Sequence, residues 1–393
     1  MPDVTIRAIT SAPGFHWFGY YDKLQFDPSG RYILGMNVDF EHRSPRPDDL
    51  INIGMIDTSD DDRWIELGRT SAWCWQQGCM LQWIPGSDSE VIWNDREDGT
   101  FISRIIDIHS GASRSLPAAV YTIAPDGKNA IGTDFRRINH MRPGYGYAGI
   151  ADPNFDALAP DDVGIYKIDL TNGKTELLIS ISQVAAIPNP HHDFDTARHY
   201  FNHLLFNTDG TRFIFLHRWR IDTVRFDSRM FTANTDGTDL HVVDDYGEMS
   251  HFIWRDAKTI TAWSSRPSHG DAYYVYEDLT GKVDVIGKGT LELNGHISYL
   301  ADSDWILNDT YPQSGGRSQD LYLYHVPTGR RVDLASLNAP EEYTGEWRCD
   351  LHPRSDPSGR YVTIDSAHGN SGRQIYLLDT SEIIAEPARS SNG

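Results

Sequence analysis

Four histidines occur in short phrases that share one local pattern. His203, His251, His296 and His352 each stand a few residues before a turn segment rich in Asp, Gly, Pro or Ser. A single histidine is usually an ordinary buried or surface residue, but four in corresponding places favour a functional set. Imidazoles that converge on one axis can bind a divalent metal ion, act as a general base, or do both, and the sequence does not separate these roles.

A second set of candidate residues is cationic. It occurs in the segments Asp134-Phe-Arg-Arg-Ile-Asn-His-Met-Arg-Pro-Gly-Tyr-Gly-Tyr and His217-Arg-Trp-Arg, and its members are Arg136, Arg137, Arg142, Arg218 and Arg220. Guanidinium groups pair bidentately with carboxylates and sulfates, so arginines beside tyrosines in an acidic chain indicate an anion site. The alternative is that these arginines pair with the many aspartates of the loops.

A scaffold that brings such distant segments to one axis is indicated by an internal repeat. A turn phrase followed by alternating β-branched and aromatic residues occurs seven times, beginning at Phe26, Trp83, Ala124, Phe206, Trp254, Leu300 and Ser355. A second alternating segment follows each phrase, at 51–56, 103–108, 164–168, 230–233, 273–276, 321–324 and 375–378. Four short antiparallel strands, repeated about every 40 to 60 residues, are typical of propeller blades.

The sequence therefore predicts an all-β fold, a seven-bladed β-propeller that forms one domain over residues 1–393. The strand at residues 4–9 has no blade of its own, and we expect it to complete the last blade and close the ring, which removes exposed strand edges. The innermost strands would present Tyr20, Tyr21, Gln76, Gln77 and Tyr121 beside the histidines. Two long connections, 136–162 and 188–198, interrupt the rhythm and are where function is expected.

Composition narrows the range of partners. The formal net charge of −21 and the pI near 5 argue against nucleic acid and anionic membranes, which need a basic face. No apolar run approaches the roughly 20 residues of a membrane span. The N-terminus has no recognisable signal peptide, so a cytoplasmic location is expected for the chain as given, and a secreted or periplasmic one if a leader has been removed. Cys74, Cys79 and Cys349 are expected to be free thiols.

Several of the histidine phrases resemble those of a known group of enzymes. The phrases Asn202-His-Leu-Leu-Phe-Asn-Thr-Asp-Gly, Ser250-His-Phe-Ile-Trp, Asn294-Gly-His-Ile-Ser-Tyr and Asp350-Leu-His-Pro-Arg resemble propeller polysaccharide lyases. That group comprises oligogalacturonate lyase, the ulvan lyases and the lyase that releases rhamnose from glucuronate. The resemblance implies β-elimination at a 4-linked uronic acid of an anionic oligosaccharide or polysaccharide, which needs a base, a cationic partner for the enolate and a proton donor.

The resemblance also implies roles for individual residues. Tyr121 is the expected base and acid, Arg137 the expected partner of the substrate carboxylate, and His203 and Arg218 further catalytic groups. The expected ligands of one divalent ion, calcium, manganese or zinc, are His203, His251 and His296. The expected substrate-binding residues are Gln77, Asn94, Arg142, Tyr145, Arg220 and His352.

At one place the sequence differs from the lyases it resembles, and this difference leaves other functions open. The ulvan-type enzymes have a histidine pair in the second blade, where this chain has Gln77 and Asn94. Neither amide titrates, which favours a non-catalytic propeller that binds an anionic glycan or a protein. A metal-dependent hydrolase or lactonase would need carboxylate ligands on the inner strands, where the sequence offers mainly histidines. A propeller-capped serine peptidase is excluded, because no Gly-x-Ser-x-Gly elbow occurs.

Overall fold

Seven antiparallel sheets of four strands each make up the described part of the chain. A computed structural model describes residues 4–221 and 226–385. Within these ranges, six sheets are built from four consecutive strands, and the seventh joins the first strand of the chain to the last three. The predicted seven-bladed propeller is confirmed.

The bounds of the strands follow blade by blade. Blade 1 contains β2 (Phe15–Trp17), β3 (Tyr32–Val38), β4 (Ile51–Asp57) and β5 (Arg63–Thr70). Blade 2 contains β6 (Gln82–Trp83), β7 (Glu90–Glu97), β8 (Thr100–Asp107) and β9 (Ser113–Leu116). Blade 3 contains β10 (Thr122–Ile123), β11 (Asn129–Thr133), β12 (Gly164–Asp169) and β13 (Thr175–Ser180). Blade 4 contains β14 (Arg198–Phe206), β15 (Arg212–Arg220), β16 (Asp227–Asn234) and β17 (His241–Gly247).

The remaining blades have the same plan. Blade 5 contains β18 (Met249–Trp254), β19 (Thr259–Arg266), β20 (Gly270–Glu277) and β21 (Lys282–Ile286). Blade 6 contains β22 (Ser298–Tyr299), β23 (Trp305–Asp309), β24 (Ser318–His325) and β25 (Arg330–Asn338). Blade 7 contains β26 (Arg354–Ser355), β27 (Tyr361–Ser366), β28 (Gln374–Asp379) and β1 (Ile6–Ala8).

The ring closes where β1 joins blade 7. Ile6 pairs with Leu378 and Ala8 pairs with Tyr376, so the strand order of this sheet is β26-β27-β28-β1. The expectation that the N-terminal strand completes the last blade is confirmed. Because β1 covers the outer edge of β28, blade 7 reaches the same four-strand width as the other blades.

The repeated turn phrases form hairpins between the first and second strands of the blades. In blade 1 the carboxylate of Asp27 accepts a hydrogen bond from the backbone N–H of Tyr32, at 2.7 Å. In blade 7 Asp356 accepts the same bond from Tyr361, at 2.8 Å. In the five phrases that contain a glycine, that glycine has a left-handed backbone, as Gly30 shows with a φ of 75°. The Asp and Gly of the repeat are therefore what the turn requires.

The hydrophobic core lies between successive blades. Between blades 6 and 7, for example, Leu307, Leu323, Val362, Ile364 and Leu378 form part of one fully buried cluster. Each such side chain contributes about 1.5–3 kcal/mol relative to an exposed position. This packing fixes the seven inner strands around a common axis, and so positions the side chains that project from them.

The insertion predicted in blade 3 begins with a helix. Helix α1 (Phe135–Met141) starts at Asp134, whose side chain accepts from the N–H groups of Arg136 and Arg137. Two further short helices are α2 (Ile181–Ala185) and α3 (Ser381–Ala385), and Gly345–Trp347 forms one 3₁₀ turn. No helix in the described ranges is long and apolar enough to cross a membrane.

Candidate active site

The four histidines occupy equivalent positions in four consecutive blades. The inner strands of blades 4 to 7 end at Phe206, Trp254, Tyr299 and Ser355, which pair with the second strands. His203, His251, His296 and His352 each lie three residues before that end. The same register in blades 1 to 3 gives Lys23, Met80 and Val120. Because the blades repeat the same strand register, histidines at equivalent sequence positions come close together in the folded ring.

The backbone of the inner strands directs these rings toward each other. β14 and β18 each contain a β-bulge, in which two residues lie opposite one residue of the partner strand, and each bulge contains the histidine. His203 has a left-handed φ of 59° and His352 one of 43°, which are uncommon for residues with a side chain. The ring of His296 lies 4.2 Å from that of His251 and 4.2 Å from that of His352.

His203 is held by two tyrosines of blade 1. Its Nδ1 shares a hydrogen bond with the hydroxyl of Tyr20 at 3.3 Å, and its Nε2 shares one with that of Tyr21 at 3.2 Å. The Tyr21 hydroxyl also donates to the carbonyl of Phe252 at 2.7 Å. Burial, with the nearby charge of Arg218, lowers the pKa of His203, so this ring is neutral.

His251 is also engaged on both sides. Its Nδ1 shares hydrogen bonds with Ser250 Oγ at 3.1 Å and Asn294 Oδ1 at 3.2 Å, and its Nε2 shares one with the Tyr311 hydroxyl at 3.3 Å. Neither ring nitrogen of His251 or of His203 can therefore bind a metal ion without first losing a protein partner.

Three of the buried polar atoms that have no partner among the described residues lie together. These atoms are His296 Nε2, His352 Nε2 and Asp350 Oδ1. The three residues can each offer one ligand atom within 4.8 Å of the others, and we call them the histidine–aspartate group. Orphaned buried polar atoms are costly unless a ligand satisfies them, so this donor set fits a divalent cation.

A second layer of hydrogen bonds orients the group. The carboxylate of Asp309 lies 3.0 Å from His296 Nδ1, which leaves Nε2 to face the other two residues. Asp309 also accepts from the backbone N–H groups of His296 and His352, at 2.6 and 3.2 Å. A carboxylate behind a histidine in this way is the usual arrangement at protein metal sites.

The predicted metal ligands coincide only in part with this group. Of His203, His251 and His296, only His296 belongs to the histidine–aspartate group. His352 was expected to bind substrate, and Asp350 was not predicted at all, although the phrase Asp350-Leu-His352 places two ligand types two residues apart. A buried carboxylate thus lies beside two of the inner-strand histidines.

A cluster of cations lies beside this group. Arg348 connects the two, because its Nε donates to Asp350 Oδ2 and its Nη2 to the hydroxyl of Tyr145, both at 2.6 Å. The guanidinium of Arg142 lies over the Tyr145 ring, 3.9 Å from its centroid. Arg142 and Arg218 each lie 4.5 Å from the centroid of the Phe226 ring. We call Arg142, Arg218, Arg348 and Tyr145 the arginine pocket.

The arginine pocket carries more positive than negative charge. Arg218 donates to the neutral amide of Asn202, and no described residue gives a carboxylate to Arg142 or Arg218. Burial, together with repulsion from Arg142, lowers the pKa of Arg218 to about 10. The side chain of Arg348 is 24% exposed, so the pocket is open to solvent. An anion from solution would relieve this excess charge.

Two tyrosines complete the pocket. Burial raises the pKa of Tyr145, but the charges of Arg142 and Arg348 outweigh that effect, and the pKa lies below the ordinary tyrosine value. Tyr200 lies within electrostatic reach of Arg142 and Arg218, and its buried hydroxyl has no partner in the described chain. One phenol thus has a lowered pKa, and the other is unsatisfied beside two cations.

Tyr121, the predicted base, lies below the histidines and is closely held. Its hydroxyl accepts the backbone N–H of His203 at 2.8 Å and bonds the side-chain amide of Gln77 at 2.8 Å. Lys23 Nζ lies 5.0 Å from the centre of its ring. Burial strongly raises the pKa of Tyr121. In this position the hydroxyl supports the strained backbone of His203.

The other amide of the predicted pair is likewise engaged within the fold. Asn94 donates to the carbonyl of Val120 and to the hydroxyl of Tyr147, and its oxygen accepts from Ser103 and from the N–H of Val120. These bonds join blades 2 and 3, and every hydrogen-bonding group of the amide is used.

Arg137, the predicted partner of the substrate carboxylate, is buried in the insertion of blade 3. Its guanidinium donates to Asp152 and to the carbonyls of Asn154, Ala157, Leu158 and His199. All five N–H donors are thereby used, and none remains for a ligand. Arg220 donates to the carbonyl of Met141 at the end of α1.

Solved structures of similar fold are propellers. No protein-family model matches the sequence, and neither does any curated protein. An oligogalacturonate lyase in complex with manganese aligns with a TM-score of 0.71 at 15% identity, over 98% of this chain and 95% of that chain. The oligogalacturonate lyase of Vibrio parahaemolyticus aligns with a TM-score of 0.69 at 13% identity, over 97% and 95%.

A propeller of different function aligns less well. The β-propeller domain of the Trilobed protease from Pyrococcus furiosus has a TM-score of 0.53 at 10% identity, over 92% of this chain and 96% of that one. At such identities the likeness shows the fold alone. It confirms the fold that the resemblance to propeller lyases predicted.

Proposed function

We propose that the protein is a lyase that cleaves a 4-linked uronic acid in an anionic oligosaccharide by β-elimination. The observation that carries the proposal is the arginine pocket, where Arg142 and Arg218 meet no carboxylate of the described chain beside a tyrosine with a lowered pKa. Structures named as oligogalacturonate lyases share the fold over nearly the whole chain, which agrees with the proposal.

The reaction needs a cationic partner for the substrate carboxylate. Removal of the proton at C5 places negative charge on that carboxylate as an enolate, so groups that bind the charge more strongly in the transition state accelerate the step. We assign this role to Arg142 and Arg218, which replace Arg137 because its five donors are occupied. The unpartnered hydroxyl of Tyr200 is placed to donate to the same carboxylate.

We assign the proton transfer to Tyr145. Its phenolate, stabilised by Arg142 and by the hydrogen bond from Arg348, accepts the proton from C5. The electron pair of the C5–H bond forms the C4=C5 double bond, and the C4–O bond breaks. The departing oxygen takes a proton, which the Tyr145 hydroxyl returns, so the enzyme ends in its starting state. Tyr121 then has a supporting role, because it holds the backbone of His203.

The histidine–aspartate group is proposed to hold one divalent ion through His296, Asp350 and His352. An ion held there would supply positive charge next to the Arg348–Asp350 pair. Two imidazoles and one carboxylate favour manganese or zinc over calcium, which prefers an all-oxygen shell.

The proposal is tested by incubating the protein with a panel of uronate-containing oligosaccharides and following the ultraviolet absorbance of the new conjugated double bond. We expect product to form, and we expect Arg142→Ala and Tyr145→Phe to slow its formation by about a hundredfold or more. Arg360→Ala and Tyr361→Phe, at a turn of blade 7, are matched controls that should keep full activity. Binding of the glycans without any absorbance change would contradict the lyase and support the non-catalytic glycan-binding propeller.

A further inference from the structure

The segment 346–349, which carries Arg348, is held in place through its backbone. Its four successive carbonyls each accept a hydrogen bond from a side chain elsewhere in the chain. The donors are three buried side chains, Gln76, Gln319 and Arg373. The backbone is therefore fixed on both sides of Arg348, whose guanidinium reaches Asp350 and Tyr145.

Gln76 also reaches the segment that carries Tyr145. Its Nε2 donates to the carbonyls of Glu346 at 2.8 Å and Arg348 at 3.2 Å. Its backbone N–H donates to the carbonyl of Gly144 at 3.3 Å, and Gly144 directly precedes Tyr145. One residue thus binds the backbone beside both members of the Arg348–Tyr145 pair.

The two segments are in direct contact where Gln76 joins them. Gly144 has a left-handed φ of 92°, and a β-carbon added there would lie 3.3 Å from the Cβ of Glu346. The insertion of blade 3 therefore approaches the segment 346–349 as closely as a residue without a side chain allows. A small displacement of either segment would lengthen the 2.6 Å bond between Arg348 Nη2 and the Tyr145 hydroxyl.

The orientation of the Gln76 amide is set by these contacts. Both partners of Nε2 are carbonyl oxygens, so the NH₂ group must face them. Oε1 is buried and has no partner in the described part of the chain. The amide thus leaves its own acceptor unsatisfied, at a cost in free energy, while it satisfies two carbonyls at and beside Arg348. A local cost of this kind is typical of functional sites.

We infer that Gln76 is a positioning residue for the proposed elimination, because it sets the distance between Tyr145 and Arg348 by holding the backbone of both segments. The inference rests on the proposed function and adds to it a residue that acts through Arg348 and not on the substrate. Elimination needs the phenol at a fixed place, since a misplacement of about 1 Å can slow a reaction by about a hundredfold.

The first test is Gln76→Met, which keeps the length of the side chain and removes both of its donors. With an oligosaccharide that the wild type cleaves, we expect kcat to fall by about 10- to 100-fold and KM to change little. Gln82→Met is the matched control and should keep the wild-type kcat, because Gln82 is a buried glutamine of the same blade that donates only to the carbonyl of Met80. A wild-type kcat in Gln76→Met would overturn the inference and leave the lyase intact.

A double-mutant cycle separates positioning from a general loss of packing. Arg348→Met removes the guanidinium through which Gln76 acts, so adding Gln76→Met to it should lower kcat by less than about twofold. A fall as large as in the wild-type background would mean that Gln76 acts independently of Arg348, and would overturn the inference. Gly144→Ala, whose added β-carbon meets Glu346, disturbs the same contact from the other segment and replaces Gln76→Met if that variant does not fold. A wild-type kcat in Gly144→Ala would then overturn the inference.

Failure of the proposed function can be told apart from failure of this inference. If no oligosaccharide is cleaved, the lyase is wrong, and ionisation of the Tyr145 phenol then decides the role of Gln76. It is followed by the ultraviolet absorbance of tyrosinate, as the step that Tyr145→Phe lacks. Gln76→Met changes none of the charged groups that face Tyr145, which are Arg142, Arg218, Arg348 and Asp350. A longer Arg348 bond should move the step to higher pH in Gln76→Met and not in Gln82→Met, and a step that stays in place in Gln76→Met would overturn the inference.

Discussion

The phenol oxygen of Tyr145 lies 2.6 Å from Nη2 of Arg348, the same arginine whose Nε lies 2.6 Å from a carboxylate oxygen of Asp350. Arg348 thereby connects the candidate proton-transfer group to the candidate metal site. Neither partner of this bond was expected to act in this way from the sequence. The arrangement makes Tyr145 the first residue to test.

Tyr145→Phe should lower kcat by about 100- to 10,000-fold, the usual range for a lost acid–base group, with little change in thermal stability. Because the pKa of Tyr145 is lowered, activity should increase with pH, and the midpoint of this rising limb of the pH–rate profile should lie below pH ~10, the ordinary tyrosine value. Arg142→Gln removes one of the charges that lower this pKa, so its limb should move to higher pH. A limb that stays in place in Arg142→Gln would contradict the assignment of Tyr145.

Removal of the candidate metal ligands gives a second prediction. Elemental analysis of protein purified without chelator should find one divalent ion per chain, and Asp350→Asn and His352→Ala should lose it. Chelator should lower the Tm of the wild type, since an ion that binds only the folded state stabilises it, and should leave the Tm of both variants unchanged. His368→Ala, a half-buried histidine of another loop, is the control. A full complement of metal in His352→Ala would exclude the histidine–aspartate group.

Tyr121→Phe separates a supporting role from a catalytic one. The variant loses the acceptor for the backbone N–H of His203 and the hydrogen bond to Gln77. We therefore expect its free energy of unfolding to be about 1–3 kcal/mol lower than that of the wild type. Its kcat should fall by less than the hundredfold expected for a lost base. Urea unfolding and initial rates measure the two effects. A loss of turnover as deep as that of Tyr145→Phe, at unchanged stability, would return Tyr121 to the role predicted from the sequence.

Arg137→Met should destabilise the fold by about 3–5 kcal/mol, because it removes the guanidinium partner of the buried Asp152 and leaves four carbonyls without their donor. The neighbouring Arg136 is paired with Asp134 at a site that is one-third exposed, so Arg136→Ala should cost at most about 1 kcal/mol. Urea unfolding of the two variants makes the comparison. Equal losses in the free energy of unfolding would mean that Arg137 does not stabilise the blade 3 insertion.

The fold could be predicted from the sequence because each blade repeats its own turn chemistry. The Asp and Gly of phrases such as the one at Asp27 are required locally by the hairpin, so they recur and can be counted. The histidine register followed from the same repeat, since His203, His251, His296 and His352 keep one distance from the turn. The hairpin turns and the histidine register could therefore be predicted from the sequence.

The catalytic assignments depended on features that do not repeat. Arg137 and Arg142 are five residues apart in a segment that was interpreted as a loop, but Arg137 lies within helix α1. Arg142 follows the last residue of the helix with a non-helical backbone, and the two side chains have different partners. Arg142 faces Tyr145, and Arg137 faces Asp152. A helical interpretation, based on Asp134 as the N-cap, would have separated them.

The proposed metal ligands could be predicted in part from the sequence. In an extended segment, residues two apart lie on the same face, so Asp350 and His352 could have been recognised as a pair of ligands. His203 and His251 could not be excluded without the structure, because their partners Tyr20, Tyr21 and Tyr311 come from distant blades. Only the assembled ring shows which imidazole nitrogens are already used.

A buried histidine pair in blade 4 predicts how stability depends on pH. Arg229 Nε donates to His217 Nδ1 at 3.0 Å, so that nitrogen carries no proton, and the Nε2–H of His217 donates to His199 Nδ1 at 2.9 Å. Neither ring can take up a proton without breaking this chain. Burial, with the charge of Arg229, lowers the pKa of His199 to about 4, and burial lowers the pKa of His217 well below its ordinary value.

Because the folded pKa of His199 is lowered from 6.5 to about 4, the unfolded chain binds more protons between these values. The free energy of unfolding is therefore complete above pH 6.5 and falls as the pH decreases through this window, by on the order of 3 kcal/mol for His199 alone. His199→Gln, whose amide oxygen can still accept from His217, should flatten this dependence when Tm is measured against pH. His109→Gln, at an exposed turn, should leave it as in the wild type. A profile of His199→Gln as steep as that of the wild type would mean that the acid sensitivity arises elsewhere, with the inner-strand histidines as the next group to test.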